Sequence, residues 1–247
     1  MTAASPPWSD PYLTVIIPAY NEEQRLPPTV VDLLKFLDTQ PWSAEILLVE
    51  NGSTDRTAAV ADGLAHVHER VRALHLPGRG KGLAVREGML AAAGEFLVEF
   101  DADSSVRADQ IPVLVKELEA GADVAIGSRE APGARRIDEP PHRHLMGRIF
   151  NALVRWLALP GISDSQCGFK AFRRSVAQDL FRRQLIDGWG FDVEVLFVGR
   201  RLGYTVREVP VIWYYGPSSR IRPVRDAIAM VRELLMIRRN AMQGRYG

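Results

Sequence analysis

Short apolar runs bounded by turn residues alternate with helical patterns through the first half of the chain. The apolar runs predict strands at residues 13–18, 45–49, 71–76, 95–100 and 123–127. The periodicity between them predicts helices at residues 29–37, 57–66, 83–93 and 111–120, with Ser53 at the N-cap position of the second helix. Such alternation is typical of a mostly parallel sheet with helices on both faces. We therefore expect an α/β fold with a Rossmann-like, doubly wound sheet.

The carboxyl ends of the predicted strands indicate where a ligand would bind. In open α/β sheets, ligands bind in the crevice beyond these ends. The residues that follow the five strands are 19–22, 50–53, 78–82, 101–103 and 128–129. Because these segments meet at one edge of the sheet, we expect them to form a single site.

The second half of the chain has a different pattern. Residues 129–142 are polar, basic and proline-containing, which predicts a mobile loop. Amphipathic patterns then predict helices at residues 145–159 and 224–239, each with a broad apolar face and several arginines. Each helix either lies in a membrane interface or packs on the core. We expect a disordered tail at residues 1–11 and one domain at 12–243, which the change of pattern divides into halves at 12–128 and 129–243.

Charge is distributed unevenly between the two halves. The chain has 247 residues, of which 47% are hydrophobic, and a formal net charge of only +1. Residues 1–128 carry −9, with 10 basic and 19 acidic side chains, whereas residues 129–247 carry +10, with 21 basic and 11 acidic ones. An acidic half suits a metal ion, and a basic half suits an anionic acceptor or membrane face. Two ordinary solvated surfaces are the alternative.

Cysteine content and apolar run length define the expected compartment. Cys167 is the single cysteine, so we expect neither disulfides nor a thiolate metal cluster, which fits a reducing cytoplasm. The first ten residues lack the features of a signal peptide, and no segment has the roughly 18 unbroken apolar residues of a membrane span. Any membrane contact is therefore expected to be peripheral, on the cytoplasmic face. We expect no nucleic-acid partner.

The most informative chemical pattern is Asp101-Ala102-Asp103, directly after an apolar strand. Two carboxylates one residue apart can bind one hard cation, Mg²⁺ or Mn²⁺, which would bridge the phosphates of a nucleotide. A pair of solvated acids in a loop, or a helix N-cap, is the alternative.

Polar residues after the other strands suggest a nucleotide pocket. Backbone groups from Pro18 onwards can hydrogen-bond a base, and Tyr20 can pack against it. Glu50 can accept from the N–H of uracil or guanine, and the Gly52-Ser53 turn that follows starts a helix. Lys81, between two glycines, suggests a phosphate contact. A Rossmann dehydrogenase is excluded because no Gly-x-Gly-x-x-Gly follows the first strand.

Together these patterns resemble the glycosyltransferase family 2 domain of GT-A fold. The matching stretches are 15–22, 48–57, 80–88, 100–103 and 127–129. Residues 161–170, 189–194 and 209–213 are more similar to the dolichyl-phosphate β-glucosyltransferase branch, of which polyprenyl-phosphate mannose synthases are close relatives. The resemblance covers about residues 12–239, and its most specific part is Asp164-Ser165-Gln166-Cys167-Gly168-Phe169-Lys170.

The resemblance implies a role for individual positions. The expected nucleotide-sugar contacts are Pro18, Ala19, Tyr20, Glu22, Glu50, Gly52, Ser53, Lys81, Asp101 and Ala102. Asp101 and Asp103 would hold the metal and diphosphate, and Arg129 would meet the acceptor phosphate. The implied reaction is single displacement with inversion. Residues 12–128 would then be the nucleotide-sugar-binding half of the domain, and residues 129–243 the acceptor or membrane-facing half. This chain departs from the pattern at Asn51, where many members have a second acid, at Ser105 in place of glutamine, and at Arg220 in place of lysine.

A lipid phosphate acceptor determines the expected chemistry. It is already ionised near neutral pH and can attack without a protein base. We therefore expect Arg129, with the basic residues Arg135, Arg143 and Arg220, to hold the acceptor phosphate. The expected donor is UDP-glucose and the acceptor a polyprenyl or dolichyl phosphate at the membrane surface.

Three alternatives stay open at this point. GDP-mannose is the alternative donor, as in the mannose synthases. A hydroxyl acceptor would need Asp192 or Glu194 as a base; otherwise these acids begin an amphipathic helix. Last, the chain could be a nucleotide-binding regulator or a membrane scaffold without activity, which the release of UDP or GDP would exclude.

Overall fold

The computed structural model describes residues 10–216 and 223–247 and contains nine strands and eight helices in those ranges. The strands are β1 (Leu13–Ala19), β2 (Ala44–Asn51), β3 (Val71–Leu76), β4 (Phe96–Phe100), β5 (Val124–Ser128), β6 (Arg135–Ile137), β7 (Phe169–Arg173), β8 (Val206–Pro210) and β9 (Ile212–Tyr214). The helices are α1 (Leu26–Asp38), α2 (Thr57–Val67), α3 (Lys81–Ala91), α4 (Ile111–Glu119), α5 (Pro141–Leu157), α6 (Arg174–Arg183), α7 (Phe191–Arg201) and α8 (Pro223–Met242). All five predicted strands and all six predicted helices are present.

Seven strands form one twisted sheet in the order β3-β2-β1-β4-β7-β5-β8. The neighbouring pairs are parallel except at β7, which runs antiparallel to both β4 and β5. The prediction of a mostly parallel α/β sheet is confirmed. Strands from both predicted halves of the domain lie in this sheet, because β7 and β8 follow residue 128.

Alternating apolar residues of the central strands fill one hydrophobic core on each face of the sheet. In β1, Val15 and Ile17 pack into the core that includes α1 and α4, whereas Ile16 packs into the core on the other face, with α3 and α7. Because β1 is buried on both faces, it is apolar apart from Thr14, whose hydroxyl donates to the buried Glu45 carboxylate at 2.8 Å. This two-sided packing fixes the carboxyl ends of β1, β2 and β4 side by side.

Two local predictions are wrong. Residues 129–142, expected to be a loop, contain the strand β6, which pairs in parallel with β9 in a separate two-stranded sheet. Ser53 does not cap α2; the Asp55 carboxylate accepts the Thr57 N–H at 2.9 Å instead, while the Ser53 hydroxyl accepts the Asn21 N–H. The strand β6 forms because of its pairing with β9, which is distant in sequence. The residue that caps α2 lies two positions after the predicted one.

The chain ends lie partly outside the described residues. Residues 1–9 of the predicted N-terminal tail are among those not described, as is Arg220. Within the described ranges, no helix combines the length and the apolar character needed to cross a bilayer.

Candidate active site

Asp101 and Asp103 lie in the turn that follows β4, at the carboxyl edge of the sheet. The Asp101 side chain is 36% exposed, and its Oδ1 lies 2.8 Å from Lys81 Nζ. Asp103 is exposed, and its Oδ1 accepts the Ser105 N–H at 2.9 Å. Between them, Ala102 is buried, and its carbonyl accepts the Thr29 hydroxyl at 2.8 Å. Both carboxylates therefore reach solvent from a turn whose centre is anchored.

Gly168 fits closely against Asp101. A Cβ atom at position 168 would lie 1.9 Å from Asp101 Oδ2, which no side chain can occupy without displacing the carboxylate. Position 168 belongs to the segment that leads into β7, and β7 pairs with β4 in register Phe100↔Phe169. The glycine of the most specific sequence run thus determines how Asp101 is seated.

A buried cluster of opposite charges lies beneath Asp101. Glu99, fully buried, sits opposite Lys170 in the β4–β7 register. Its carboxylate lies 3.2 Å from Lys81 Nζ and 3.7 Å from Lys170 Nζ. Lys170 also donates to the Cys167 carbonyl at 2.6 Å and to the Asp192 carboxylate. Two ammonium groups therefore lie among three acids, Glu99, Asp101 and Asp192, beneath the site.

Burial and pairing act against each other in this cluster. Burial lowers the pKa of Lys81, but Asp101 and Glu99 outweigh it and hold that pKa well above its ordinary value. Burial likewise lowers the pKa of Lys170, and Asp192 more than reverses the effect. For Asp192, burial dominates over the nearby lysines and raises the pKa to about 6. Both lysines are therefore charged at neutral pH.

The two exposed aspartates fit a divalent cation only in part. In the described part of the chain, no group of three His, Cys, Asp or Glu side chains is placed to hold a metal ion. Mg²⁺ typically binds one or two carboxylates and completes its shell with phosphate oxygens and water. Asp101 and Asp103 match that partial donor set.

The predicted nucleotide residues line the adjoining strand ends. Pro18 and Ala19 end β1, and the Arg79 guanidinium lies 5.2 Å from the centre of the Tyr20 ring. Glu22 forms an ion pair with Arg25, and its N–H donates to the Thr57 hydroxyl at 2.7 Å. The structure thus brings the first predicted segment to the expected edge.

Glu50 is held by the protein itself. Its carboxylate accepts the Ser53 N–H at 2.5 Å and lies 3.2 Å from His75 Nδ1. Gly52 lies in the turn between Glu50 and Ser53 and has a positive φ of 74°. Burial raises the pKa of Glu50, but the bonds from Ser53 and His75 outweigh burial and lower it overall. Glu50 is therefore an ionised carboxylate whose two oxygens already have partners.

The glycines that flank Lys81 serve packing. A Cβ at Gly82 would lie 2.7 Å from the Ile186 carbonyl and 2.8 Å from Phe191 Cβ. Arg86 of the same helix, α3, bonds Asp187 at 2.8 Å. Residues 184–190 thus press on the start of α3 and aim Lys81 at the aspartates. The two glycines therefore allow a close packing contact between this segment and α3.

Arg129, directly after β5, is oriented by a buried carboxylate. Asp164 accepts Arg129 Nε at 2.7 Å, Nη2 at 2.9 Å and the Arg129 backbone N–H at 3.0 Å. Burial raises the pKa of Asp164, but Arg129 outweighs burial and lowers it to about 2. The ring of Trp213 lies 5.5 Å from the guanidinium carbon. This arginine is consequently rigid and permanently charged.

A cavity of about 380 Å³ opens beside Arg129. Its lining residues are Arg129, Glu130, Ala131, Ala134, Arg136, Glu139 and His144. Arg136 bonds Glu139 at 2.8 Å and Glu130 at 2.6 Å, so the wall carries charges of both signs. The sequence places Arg136 in the basic loop, residues 135–143, that we expect to hold the acceptor phosphate, but it does not predict His144.

The other predicted acceptor arginines lie outside this cavity lining. Arg135 is exposed on β6, and the Arg143 guanidinium lies 5.3 Å from the centre of the Tyr215 ring. Arg220 falls outside the described residues. The basic residues of the described cavity lining are Arg129, Arg136 and His144.

One segment, residues 163–170, joins the two parts of the site. The Glu208 carboxylate accepts the N–H groups of Ser163 and Asp164 at 2.8 and 3.0 Å and anchors one end. Asp164 orients Arg129, and four residues later Gly168 seats Asp101. Because four residues span at most about 14 Å, the arginine site and the aspartate site are neighbours.

Asp192 and Glu194 are buried in the first turn of α7. Asp192 binds Lys170, and Glu194 accepts the N–H groups of Leu185 and Ile186 and the Tyr246 hydroxyl at 3.1, 2.9 and 2.6 Å. Burial raises the pKa of Glu194. These contacts show both acids bound to groups of the protein itself.

Comparison with known proteins adds an independent line of information. The sequence pattern of glycosyl transferase family 2 matches residues 14–181. A dolichyl-phosphate beta-glucosyltransferase of Drosophila melanogaster is 38% identical over 244 residues, covering 91% of this chain and 74% of the fly protein. The human protein of that name is 31% identical over 256 residues, covering 97% of this chain and 79% of its own.

A solved structure has the same fold. Glucosyl-3-phosphoglycerate synthase from Mycobacterium tuberculosis, in complex with Mn²⁺, UDP-glucose and phosphoglyceric acid, aligns with a TM-score of 0.65 at 21% identity. The alignment covers 92% of this chain and 79% of that one. At this level of identity the likeness concerns the fold.

Proposed function

The chain belongs to glycosyltransferase family 2 and has the GT-A fold, and from that premise we propose that it transfers glucose from UDP-glucose to a polyprenyl or dolichyl phosphate. The observation that carries the proposal is the segment 163–170, which holds a rigid arginine next to two solvent-accessible aspartates. Such a site would hold one anion against a fixed cation and, through a divalent cation bound at the aspartates, a second anion. The names of the relatives support glucose and a lipid phosphate as the two substrates.

The nucleotide-sugar is proposed to lie along the carboxyl ends of β1, β2 and β4. Pro18, Ala19 and Tyr20 would contact the base, with Arg79 beside the Tyr20 ring. Glu50 would act through Ser53, since it already binds the Ser53 N–H. Mg²⁺ or Mn²⁺ held by Asp101 and Asp103 would supply neutralisation of the diphosphate leaving group.

The acceptor phosphate is proposed to bind in the cavity beside Arg129. Asp164 occupies Nε and Nη2, which leaves Nη1 for a phosphate oxygen. A phosphate near neutral pH is ionised and is itself the nucleophile. The buried positions of Asp192 and Glu194 favour this acceptor over a hydroxyl, because neither acid lies open to a substrate proton.

A membrane-facing surface is the further part of this proposal. On α5, Leu145, Ile149 and Trp156 are 59%, 63% and 80% exposed and recur at helical spacing, with exposed Arg148 and Arg155 beside them. Apolar residues with flanking arginines suit the interface of an anionic bilayer. The helix starts next to the acceptor cavity, which His144 lines. We therefore propose peripheral binding at the cytoplasmic membrane face.

The decisive experiment measures glucose transfer to a short-chain polyprenyl phosphate by mass spectrometry, alongside UDP release. Asp103→Asn, and Arg129→Met combined with Asp164→Asn so that no lone buried charge remains, should each lower transfer by at least about 100-fold. Asp32→Asn and Arg70→Met, at a helix surface and an exposed ion pair, serve as controls. GDP-mannose is offered in parallel. Near wild-type transfer by both site variants, or transfer without lipid phosphate, contradicts the proposal.

A further inference from the structure

The Lys81 ammonium lies between the carboxylates of Glu99 and Asp101. Its ammonium is 2.8 Å from Asp101 Oδ1 and 3.2 Å from Glu99 Oε1, and its side chain is 14% exposed. An ammonium held between two carboxylates offsets the same charge that a metal ion would offset at Asp101. The protein thus supplies its own positive charge at the first of the two aspartates.

Glu99 explains why this lysine stays in place. Its carboxylate is fully buried, and neither oxygen has a hydrogen-bond donor of good geometry in the described part of the chain. Lys81 and Lys170 are the cations that lie near it, at 3.2 and 3.7 Å. Withdrawing Lys81 altogether would leave a buried carboxylate poorly compensated, which is costly. The low-cost movement is for Lys81 to keep Glu99 and release Asp101.

The backbone around Lys81 has little freedom. A Cβ at Gly80 would lie 2.3 Å from the Asp187 carbonyl, and Asn51 Nδ2 donates to the Gly80 carbonyl at 2.9 Å. Lys81 is the first residue of α3, so these contacts fix its Cα. Only the side chain can move when a ligand arrives.

We propose that Lys81 occupies the cation position beside Asp101 in the donor-free protein and yields it only when a divalent cation arrives together with the donor diphosphate. This inference rests on the proposed donor site at Asp101 and Asp103. In the free protein, a divalent cation meets the ammonium at Asp101, and Asp103 alone is a weak ligand. The diphosphate draws the ammonium towards itself and completes the cation's shell. Nucleotide and cation therefore raise each other's affinity by the same factor.

The test measures binding of Mn²⁺ alone by electron paramagnetic resonance, first without and then with UDP. Lys81→Met should bind Mn²⁺ at least about tenfold more tightly than wild type in the absence of UDP. Because that variant leaves Glu99 without its partner, the same comparison is repeated between Glu99→Gln and the double variant Lys81→Met/Glu99→Gln. UDP tightens Mn²⁺ binding by a certain factor in each protein. In both pairs, the variant that lacks Lys81 should show a smaller factor, reduced by as much as its Mn²⁺ affinity without UDP has risen.

Control variants separate this inference from the proposed function. Lys116→Met, which removes an exposed lysine of α4, should bind Mn²⁺ as wild type does. Adding Asp103→Asn to Lys81→Met should abolish the tighter Mn²⁺ binding, which would show that the cation binds at Asp103. Equal or weaker Mn²⁺ binding in both Lys81 variants overturns the inference, since a lysine that only positions Asp101 gives that result. Because glucose transfer is not read, a wrong acceptor would not alter the outcome.

Discussion

The Asp164 carboxylate accepts three hydrogen bonds from Arg129, two from the guanidinium and one from the backbone N–H. Asp164 is fully buried, whereas the Arg129 side chain is 20% exposed and lines the acceptor cavity. A bidentate contact from below fixes the plane of the guanidinium and directs its remaining N–H groups to the cavity. We therefore propose that Asp164 affects acceptor binding through Arg129, as a positioning residue.

Asp164→Asn tests this positioning role. The amide keeps the size of the carboxylate but loses one acceptor and the charge, so the guanidinium is held less firmly. We expect KM for the lipid phosphate to rise about tenfold, with UDP affinity unchanged, as for the loss of one charged hydrogen bond. Steady-state kinetics with varied acceptor and calorimetry with UDP measure the two quantities.

Asp179→Asn is the matched control, because Asp179 accepts Arg183 Nε at 3.0 Å on α6, away from the cavity. It should leave both constants unchanged. A fall in kcat with constant KM in Asp164→Asn would instead indicate that this aspartate affects the chemical step.

Acid stability depends on the same pair. The pKa of Asp164 is about 2 in the folded protein against 3.8 ordinarily, so the folded state favours the ionised form. A lowered pKa stabilises the fold above the unfolded value, and that contribution disappears as pH falls from about 4 to about 2. The lost contribution is of the order of 2 kcal/mol. Chemical denaturation at a series of pH values should show a shallower acid limb in Asp164→Asn than in wild type; identical limbs would contradict the assignment.

Gly168→Ala should disable the aspartate turn without unfolding the chain. The added methyl would meet Asp101 Oδ2 at 1.9 Å and must push the carboxylate away from its seat. We expect a loss of turnover of about 100-fold, the effect of misplacing a catalytic group by an ångström. Gly63→Ala adds the same methyl on α2, where no atom lies within 4 Å, and should keep full activity. Wild-type turnover in Gly168→Ala would contradict the claim that Gly168 determines the position of the Asp101 carboxylate.

The exposed apolar face of α5 predicts vesicle binding. Replacing Ile149 and Trp156 by serine removes two side chains that are 63% and 80% exposed. Binding to vesicles that contain phosphatidylglycerol should fall at least about tenfold, because little apolar area remains to bury. In wild type, about 1 M salt should weaken binding, since it screens the arginines. Val67→Ser, at a 72% exposed valine of α2, is the control, and equal loss there would indicate nonspecific adhesion.

His75 should titrate above its ordinary range. Its Nδ1 lies 3.2 Å from Glu50 and its Nε2 2.8 Å from Asp62; burial lowers its pKa, but the two carboxylates outweigh burial and raise it. A raised pKa stabilises the fold below about pH 6.5, and this contribution is lost as pH rises through the folded value. Nuclear magnetic resonance titration of the imidazole should show a lower pKa in Asp62→Asn than in wild type. No change would exclude the Asp62 contact.

The first half of the sheet was predictable because β1, β2, β4 and β5 are buried and mainly apolar, and because turns bound all five strands. β7 was not predicted, since Lys170 is its second residue and a lysine ordinarily indicates exposure. Lys170 can be buried because the carboxylates of Glu99 and Asp192 offset its charge, and neither contact follows from the local sequence. A charge inside an apolar strand, as at Glu99, is the local signal that such a cluster exists.

The candidate site shows the same limit. Positions after strand ends, such as Asp101 and Arg129, follow from the order of elements along the chain. Their partners do not, because Asp164 lies 35 residues from Arg129 and the pairing depends on the path of the intervening chain. A contact of Arg135 and Arg143 with the acceptor stays a prediction from the basic character of their segment; neither residue lines the described cavity.

The insertion of β7 between β4 and β5 has a consequence for biosynthesis. β5 pairs with β7 and β8, so when residues 124–128 leave the ribosome they have no neighbour to join. The preceding strands β1 to β4 can associate as they emerge, whereas β5 must wait for another 45 residues or so of chain before β7 arrives. Arg129 is therefore delivered to its final place late in translation, and a nascent chain halted before β7 would carry the nucleotide half with an open sheet edge, a substrate for chaperones.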